Sequence, residues 1–162
     1  MGNSIVRQIL QCIVCILICQ MAGIIGSIFT SPAIPTWYAN LVKPSFNPPN
    51  YVFAPVWTTL FIMMGISLFL IWRRAGDVDS IRPALIFFGI QLLLNILWSV
   101  IFFGFHSPFA AFIEIIFLWC AIGFTIILFF TVSRAAGILL VPYILWVSFA
   151  AILNFMIWRL NS

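Results

Sequence analysis

Residues 83–113 read PALIFFGIQLLLNILWSVIFFGFHSPFAAFI and contain no Asp, Glu, Lys or Arg. A helix that crosses the hydrocarbon core of a bilayer needs roughly 20 mostly apolar residues. This stretch is long enough for one such helix, a short turn at 104–107 and the beginning of a second helix. The segment therefore predicts two membrane-spanning helices that are joined by a tight turn.

The rest of the chain has the same apolar character. Of its 162 residues, 65% are hydrophobic and only 6% are charged, whereas about a quarter of the residues of a soluble domain are charged. A water-exposed surface cannot be built from so few charges, so we predict an all-α integral membrane protein. The net charge of +4 is spread thinly along the chain, which does not indicate a nucleic-acid partner.

Charged residues divide the chain into five apolar runs. We predict a single domain, residues 1–162, that forms one bundle of five transmembrane helices with a long ordered loop between helices 1 and 2. The first apolar run continues past Ala22 and Gly23, which makes it too long for the h-region of a cleaved signal peptide. The predicted helices cover about residues 5–28, 48–72, 82–103, 108–131 and 135–159.

The basic residues are distributed unequally between the two sides of this bundle. Because loops rich in Lys and Arg stay in the cytoplasm, we expect a cytoplasmic N-terminus in a bacterial cell membrane. The 73–82 connection, with Gly76, Asp77 and Asp79, is then a solvated cytoplasmic loop. Two basic residues lie on the far side of the bundle, Lys43 and Arg159. Five lie on the side of the N-terminus: Arg7, Arg73, Arg74, Arg82 and Arg134.

Metal and cofactor chemistry has little support in the sequence. Cys12, Cys15 and Cys19 have the spacing C-x2-C-x3-C, but they lie in an uncharged run without a His. Since a thiolate in hydrocarbon is unfavourable, we interpret these cysteines as small apolar helix residues. We expect no disulfide framework, no metal site and no required cofactor. His106, the only His, lies in a turn and is a weak candidate for a haem ligand.

Polar and aromatic side chains share faces within three of the predicted helices. Gln91, Asn95 and Ser99 are spaced by four residues, and Trp98 borders their face. Such surfaces suit a flat apolar ligand that needs a few polar anchors. The alternative is that the amides join helices to one another and that the Trp residues belong to the interfacial belt. The other two faces contain Phe53, Trp57, Phe61 and Met64 in helix 2, and Tyr143, Trp146, Ala150 and Asn154 in helix 5.

Glu114 is the only acidic residue within a predicted span, which makes it a candidate functional residue. If it is buried, it is either protonated through desolvation or paired with a neighbouring polar group. A proton relay would need further partners. Catalytic Ser-His-Asp sets, Gly-rich phosphate loops and clusters of metal ligands are missing from the sequence, so an enzymatic activity is not indicated by these patterns.

The loop between helices 1 and 2 contains the segment WYANLVKPSFNPPN at 37–50. Pro44, Pro48 and Pro49 restrict the backbone, which reduces the entropy lost when the loop becomes ordered. Trp37, Tyr38 and Phe46 can pack on the mouth of the bundle, while Lys43 stays at the level of the lipid headgroups. We therefore predict that residues 37–50 form a preformed lid, and we use this name for them below.

The lid segment resembles the first-loop signature of the translocator protein family, the TspO or tryptophan-rich sensory proteins related to the mitochondrial peripheral benzodiazepine receptor. The resemblance continues in order along nearly the whole chain. It includes Glu114 with Leu118 and Trp119 in helix 4. The remaining matching segments are GIIGSIFT at 23–30, FAPVWTTLFIMMG at 53–65, QLLLNILWSVIFFG at 91–104 and LVPYILWVSFAAILNFMIWRLN at 140–161.

The resemblance implies a five-helix membrane bundle that binds porphyrins and related tetrapyrroles, and in eukaryotes cholesterol and benzodiazepine-type ligands. It implies a receptor, sensor or transporter, and it adds Tyr38 to the pocket residues Trp57, Asn95, Trp146 and Ala150. Together with the helix faces, it gives a ligand site of Tyr38, Phe53, Trp57, Asn95, Trp98, Tyr143, Trp146, Ala150 and Asn154.

Two alternatives to simple binding stay open. The positions of Trp57 and Trp146 are those that the family implicates in light-dependent porphyrin degradation, and a stress-regulatory scaffold is the other alternative. The resemblance also implies a homodimer, for which Ala22-x-x-x-Gly26 offers one pair of small residues. Cholesterol is not expected to bind, because Phe155 stands where the eukaryotic motif has Tyr between Leu153 and Arg159.

Overall fold

The structure, a computed structural model, describes residues 2–74 and 78–162, with the side chains of residues 4–74 and 81–162. The predicted five helices are confirmed, and each is long and apolar enough to cross a membrane. The described residues contain no strand. The helices are α1 (Gly2–Ala33), α2 (Asn50–Trp72), α3 (Val78–Ser99), α4 (Pro108–Val132) and α5 (Arg134–Leu160).

Several helix boundaries differ from the predicted ones. α1 continues five residues past 28, because the apolar run marks the bilayer and not the end of the helix. α2 begins at Asn50 and not at 48, since Pro49 is itself extended, with a ψ of 143°, and a residue before Pro is disfavoured in a helix. α3 begins at Val78, so residues 78–82 of the predicted loop are helical and include Asp79. Gly76 and Asp77 lie outside the described residues.

A π-helical turn at Val100–Gly104 replaces the regular end that we predicted for helix 3. The amide of Phe105 donates to the carbonyl of Val100 over 2.9 Å, which is the i to i+5 pattern of a π turn. His106 follows with a φ of 53°, in the left-handed region. The wider turn rotates the last residues of α3, and this rotation directs Phe102 and Phe103 towards the lid.

The five helices form a closed ring in the order α1, α2, α5, α4, α3, with α3 in contact with α1. The chain passes back and forth across the membrane, so the lid, the 105–107 turn and the C-terminus lie at the same end of the bundle. Cys15 and Cys19 are fully buried in α1, as expected for small apolar residues.

Small residues let α1 approach its neighbours closely. A Cβ at Gly65 of α2 would collide with the Cα of Ile16, so the two backbones are in contact there. Gly26 lies against Ser99 of α3, and Ala22 is buried. The Ala22-x-x-x-Gly26 pair therefore packs inside this bundle, and its small residues do not form an outward surface for a second copy.

Candidate functional site

A cavity of about 380 Å³ lies beneath the lid, at the centre of the bundle. Its walls come from α1, α2, α3 and α5, and Tyr38 of the lid closes it from above. α3 and its π turn supply one complete wall, as the predicted site residues Asn95 and Trp98 required. The α3 lining consists of Asn95, Trp98, Ser99, Phe102 and Phe103.

Eight of the nine residues predicted for the ligand site line this cavity: Tyr38, Phe53, Trp57, Asn95, Trp98, Trp146, Ala150 and Asn154. Tyr143 is buried and does not reach the cavity wall. Helical spacing placed Tyr143 on the correct face, but it lies deeper in the bundle than the cavity. The structure thus brings the predicted residues together, while their role in ligand binding stays a prediction.

Indole and phenyl rings form the part of the cavity wall where α2 meets α5. Trp57 stacks on Phe61 with ring centroids 5.6 Å apart, and Phe53 meets Trp146 edge to face at 6.0 Å. Each such pair stabilises the packing by about 0.5–1.5 kcal/mol beyond the area that it buries. The rings therefore hold one another in place where α2 meets α5.

Two hydrogen-bonded amides fix the polar part of the wall. Asn95 donates from Nδ2 to the hydroxyl of Tyr143 over 3.1 Å. Asn154 accepts from the indole Nε1 of Trp98 at 3.0 Å, and it donates to the carbonyl of Pro108 at 2.7 Å. These amides could have served to join helices or to line a ligand site. They do both, because each one bonds to a neighbouring helix and each one lines the cavity.

Unlike the amides of Asn95 and Asn154, the indole Nε1 of Trp146 has no hydrogen-bond partner among the described residues, although it is buried. A buried donor without a partner is unfavourable by about 1–3 kcal/mol. Trp146 also lines the cavity. The protein encloses this nitrogen and leaves its hydrogen-bonding capacity unused.

Tyr38 is the buried centre of the lid. Its hydroxyl donates to Oδ1 of Asn47 over 3.0 Å, and the ammonium of Lys43 lies 4.6 Å from the centre of its ring. Burial raises the pKa of Tyr38, while the hydrogen bond to Asn47 lowers it in part. The ring packs on Phe102 and Phe103 of the π turn.

The lid is attached to the bundle on two sides. Trp37 stacks on His106 with ring centroids 4.5 Å apart, and it meets Phe102 edge to face. On the other side, Asn161 at the end of α5 forms two hydrogen bonds with the backbone of Val42. The predicted preformed lid thus has specific attachments, and the Asn161 attachment had no signal in the sequence.

The cavity also opens sideways between the outer halves of α1 and α2. Its lining includes exposed residues of both helices, and these residues border a slot on the lipid-facing surface. Gln20 closes the base of the slot by donating to the carbonyl of Thr58 over 3.1 Å. The exposed slot residues are Ile24, Ser27, Ser31, Asn50, Ala54 and Thr58.

Glu114 lies outside this cavity, in the region where α4 packs on α3 and α5. It is only 6% exposed, and neither of its carboxyl oxygens has a hydrogen-bond partner among the described residues. Glu114 was expected to be either protonated through desolvation or paired with a neighbouring polar group. The structure shows no such pairing among the described residues. Gln91 of α3 is also buried, with both amide atoms unpaired in the described part of the chain.

The comparison with protein families agrees with the bundle and the motifs. Residues 15–159 match the model of the TspO/MBR family. The chain belongs to the TspO/MBR family. The family resemblance that the motifs indicated is thereby confirmed, and the chain is an integral, multi-pass membrane protein of this family.

Several curated TspO/MBR relatives cover most of the chain. It is similar to the tryptophan-rich protein TspO of Chlorobaculum tepidum, with 46% identity over 155 residues, 96% of this chain and 98% of the relative. The protein of the same name from Archaeoglobus fulgidus is 43% identical, over 96% of this chain and 99% of the relative. The translocator protein of Homo sapiens is 37% identical, over 85% of this chain and 82% of the relative.

Proposed function

We propose that this TspO-family chain is a receptor or transporter that binds porphyrins and similar flat, mostly apolar molecules in the cavity under the lid. The volume of about 380 Å³ falls within the range of small-molecule sites. Aromatic rings offer a large stacking surface, and a few amide and indole groups offer polar anchors. Such a wall favours ligands with an extended π system over branched aliphatic ones.

The observation that carries this proposal is that Tyr38, Trp57, Asn95 and Trp146 line one cavity. Indole and amide N–H groups at such a wall favour a ligand that supplies an acceptor. A carboxylate or carbonyl at the edge of a flat ring system fits this requirement. The face of the ring system would then lie against Trp57 and Phe53.

The slot between α1 and α2 supports entry from the bilayer. Its Ser27 and Thr58 hydroxyls donate to backbone carbonyls of their own helices, over 2.7 and 2.9 Å. These two hydroxyls therefore need no further partner. A membrane-dissolved ligand with one polar edge can pass such a surface without leaving polar groups unpaired.

Titration with a porphyrin tests the binding proposal through tryptophan fluorescence. We expect quenching that saturates in the micromolar range in the unmodified protein and is reduced in the double variant Trp57→Phe, Trp146→Phe. Trp119→Phe is the matched control, because Trp119 lies on the outer surface of α4. Its indole donates to the hydroxyl of Ser148 in α5. Absence of quenching, or the same quenching in the double variant as in the control, contradicts the proposal.

A second candidate function is the light-dependent oxidation of a bound porphyrin. The observation that favours it is that Trp57 and Trp146 line the same cavity. The porphyrin would absorb the light and lose electrons to molecular oxygen, which is reduced, while the two indoles pack against the ring system that is oxidised. Illumination under oxygen tests this function. Porphyrin spectra that decay no faster in the complex than in free solution contradict it.

We further propose that the N-terminus lies in the cytoplasm of a bacterial cell, following the distribution of Lys and Arg. The lid would then face outward. Cysteine-specific labelling at Ser45→Cys, in a background without the four natural cysteines, tests this orientation in intact cells. Labelling by a membrane-impermeant reagent is expected, and protection until the membrane is disrupted would contradict it. A homodimer would have to use a surface other than the Ala22 and Gly26 pair.

A further inference from the structure

The carboxyl group of Glu114 is the most unusual buried group of the bundle. It lies within the membrane-spanning part of α4, and 6% of the residue is exposed. Both of its oxygens are buried without a hydrogen-bond partner in the described part of the chain. A carboxylate in such a setting would lose its hydration without any compensating contact, whereas a neutral acid would lose much less.

The helices packed on α4 offer no positive charge to this carboxyl group. α4 contacts α3, its π turn and α5. Residues 83–113 and 135–158 contain neither Lys nor Arg. An ion pair cannot therefore stabilise an ionised Glu114 here.

Gln91 of α3 is a second buried side chain whose polar atoms have no partner in the described part of the chain. Buried polar groups are usually satisfied by protein or by internal water, which needs space and two to four polar partners. The polar atoms of Gln91 and Glu114 are enclosed by protein, so no space for water adjoins them. An ionised Glu114 would therefore lack internal hydration as well as an ion-pair partner.

We propose that Glu114 is a neutral carboxylic acid that keeps an exchangeable proton inside the bundle. Its burial, its unpaired oxygens and the lack of Lys and Arg in residues 83–113 and 135–158 all favour the protonated form. This inference does not depend on the proposed ligand binding.

Infrared spectroscopy can test this inference cleanly, because the chain has only three acidic side chains, Asp77, Asp79 and Glu114. In membrane-reconstituted protein at neutral pH, we expect the C=O stretching band of a protonated carboxylic acid, which shifts in D₂O. Glu114→Gln should remove the band, and Glu114→Asp should move it if the Gln variant does not fold. The double variant Asp77→Asn, Asp79→Asn is the control and should keep it.

A missing acid band, or one that persists in Glu114→Gln, overturns the neutral state. A band that is lost in Glu114→Gln and kept in the double variant Asp77→Asn, Asp79→Asn supports it.

Discussion

The side-chain amide of Asn161 pairs with the backbone of Val42 as a second peptide group would. Val42 donates its N–H to Oδ1 of Asn161 over 2.9 Å, and its carbonyl accepts from Nδ2 over 2.9 Å. The same Nδ2 also donates to the carbonyl of Ile157 over 2.8 Å, which fixes the side chain on the end of α5. Asn161 thereby holds the middle of the lid to the last turn of the bundle.

Replacing Asn161 by Ala should loosen the lid without unfolding the bundle. Two hydrogen bonds are lost, each worth about 1 kcal/mol, so the open state should become roughly tenfold or more populated. Hydrogen exchange at residues 41–43 measures this change. Asn40→Ala is the matched control, since Asn40 bonds only locally, to the carbonyl of Thr36. Equal exchange in the two variants would show that Asn161 does not hold the lid.

The contact between Gly65 and Ile16 should be sensitive to any added side chain. Gly65→Ala places a Cβ against the backbone of α1, so we expect the two helices to be forced apart at a cost of about 1–3 kcal/mol. Gly89→Ala provides the control in α3, because a Cβ at Gly89 meets nothing within 4 Å. Thermal unfolding in detergent compares the two. A variant at Gly65 as stable as the one at Gly89 would refute the close approach.

Asn154 should contribute to stability because it joins three elements at the cavity wall. Asn154→Leu leaves the indole Nε1 of Trp98 and the carbonyl of Pro108 without their partner. We expect a loss of about 0.6–2 kcal/mol, the range measured for polar contacts between membrane helices. Ser148→Ala removes one polar contact at the outward-facing Trp119, and it should have a smaller effect in the same unfolding measurement.

The fold was largely predictable because charge is so scarce in this chain. Each run without charge had to cross the bilayer, and the ends of α4 and α5 fell within one residue of the predicted ones. The π turn at Val100–Gly104 was not predictable, because one extra residue in a turn leaves the apolar composition unchanged. The start of α3 was missed because Asp79 and Arg82 mark the bilayer surface and do not stop a helix.

The sequence predicted which helix faces line the candidate site, but it did not predict how far the cavity extends along each helix. The spacing of Trp146, Ala150 and Asn154 identifies the inward face of α5, and all three line the cavity. Tyr143 has the same periodicity, but spacing along one helix does not tell where a cavity ends. The pairing of Asn161 with Val42 joins residues 119 positions apart, and no local pattern indicates it.

The most direct test of the account is to fill the cavity and measure porphyrin binding. Ala150 lines the cavity, so Ala150→Leu should occupy ligand space and weaken binding at least tenfold in a fluorescence titration. Ala135→Leu makes the same change on the exposed side of α5, and it should bind as the unmodified protein does. Loss of binding in Ala150→Leu alone supports a ligand inside the bundle. Equal affinity in both variants would contradict it.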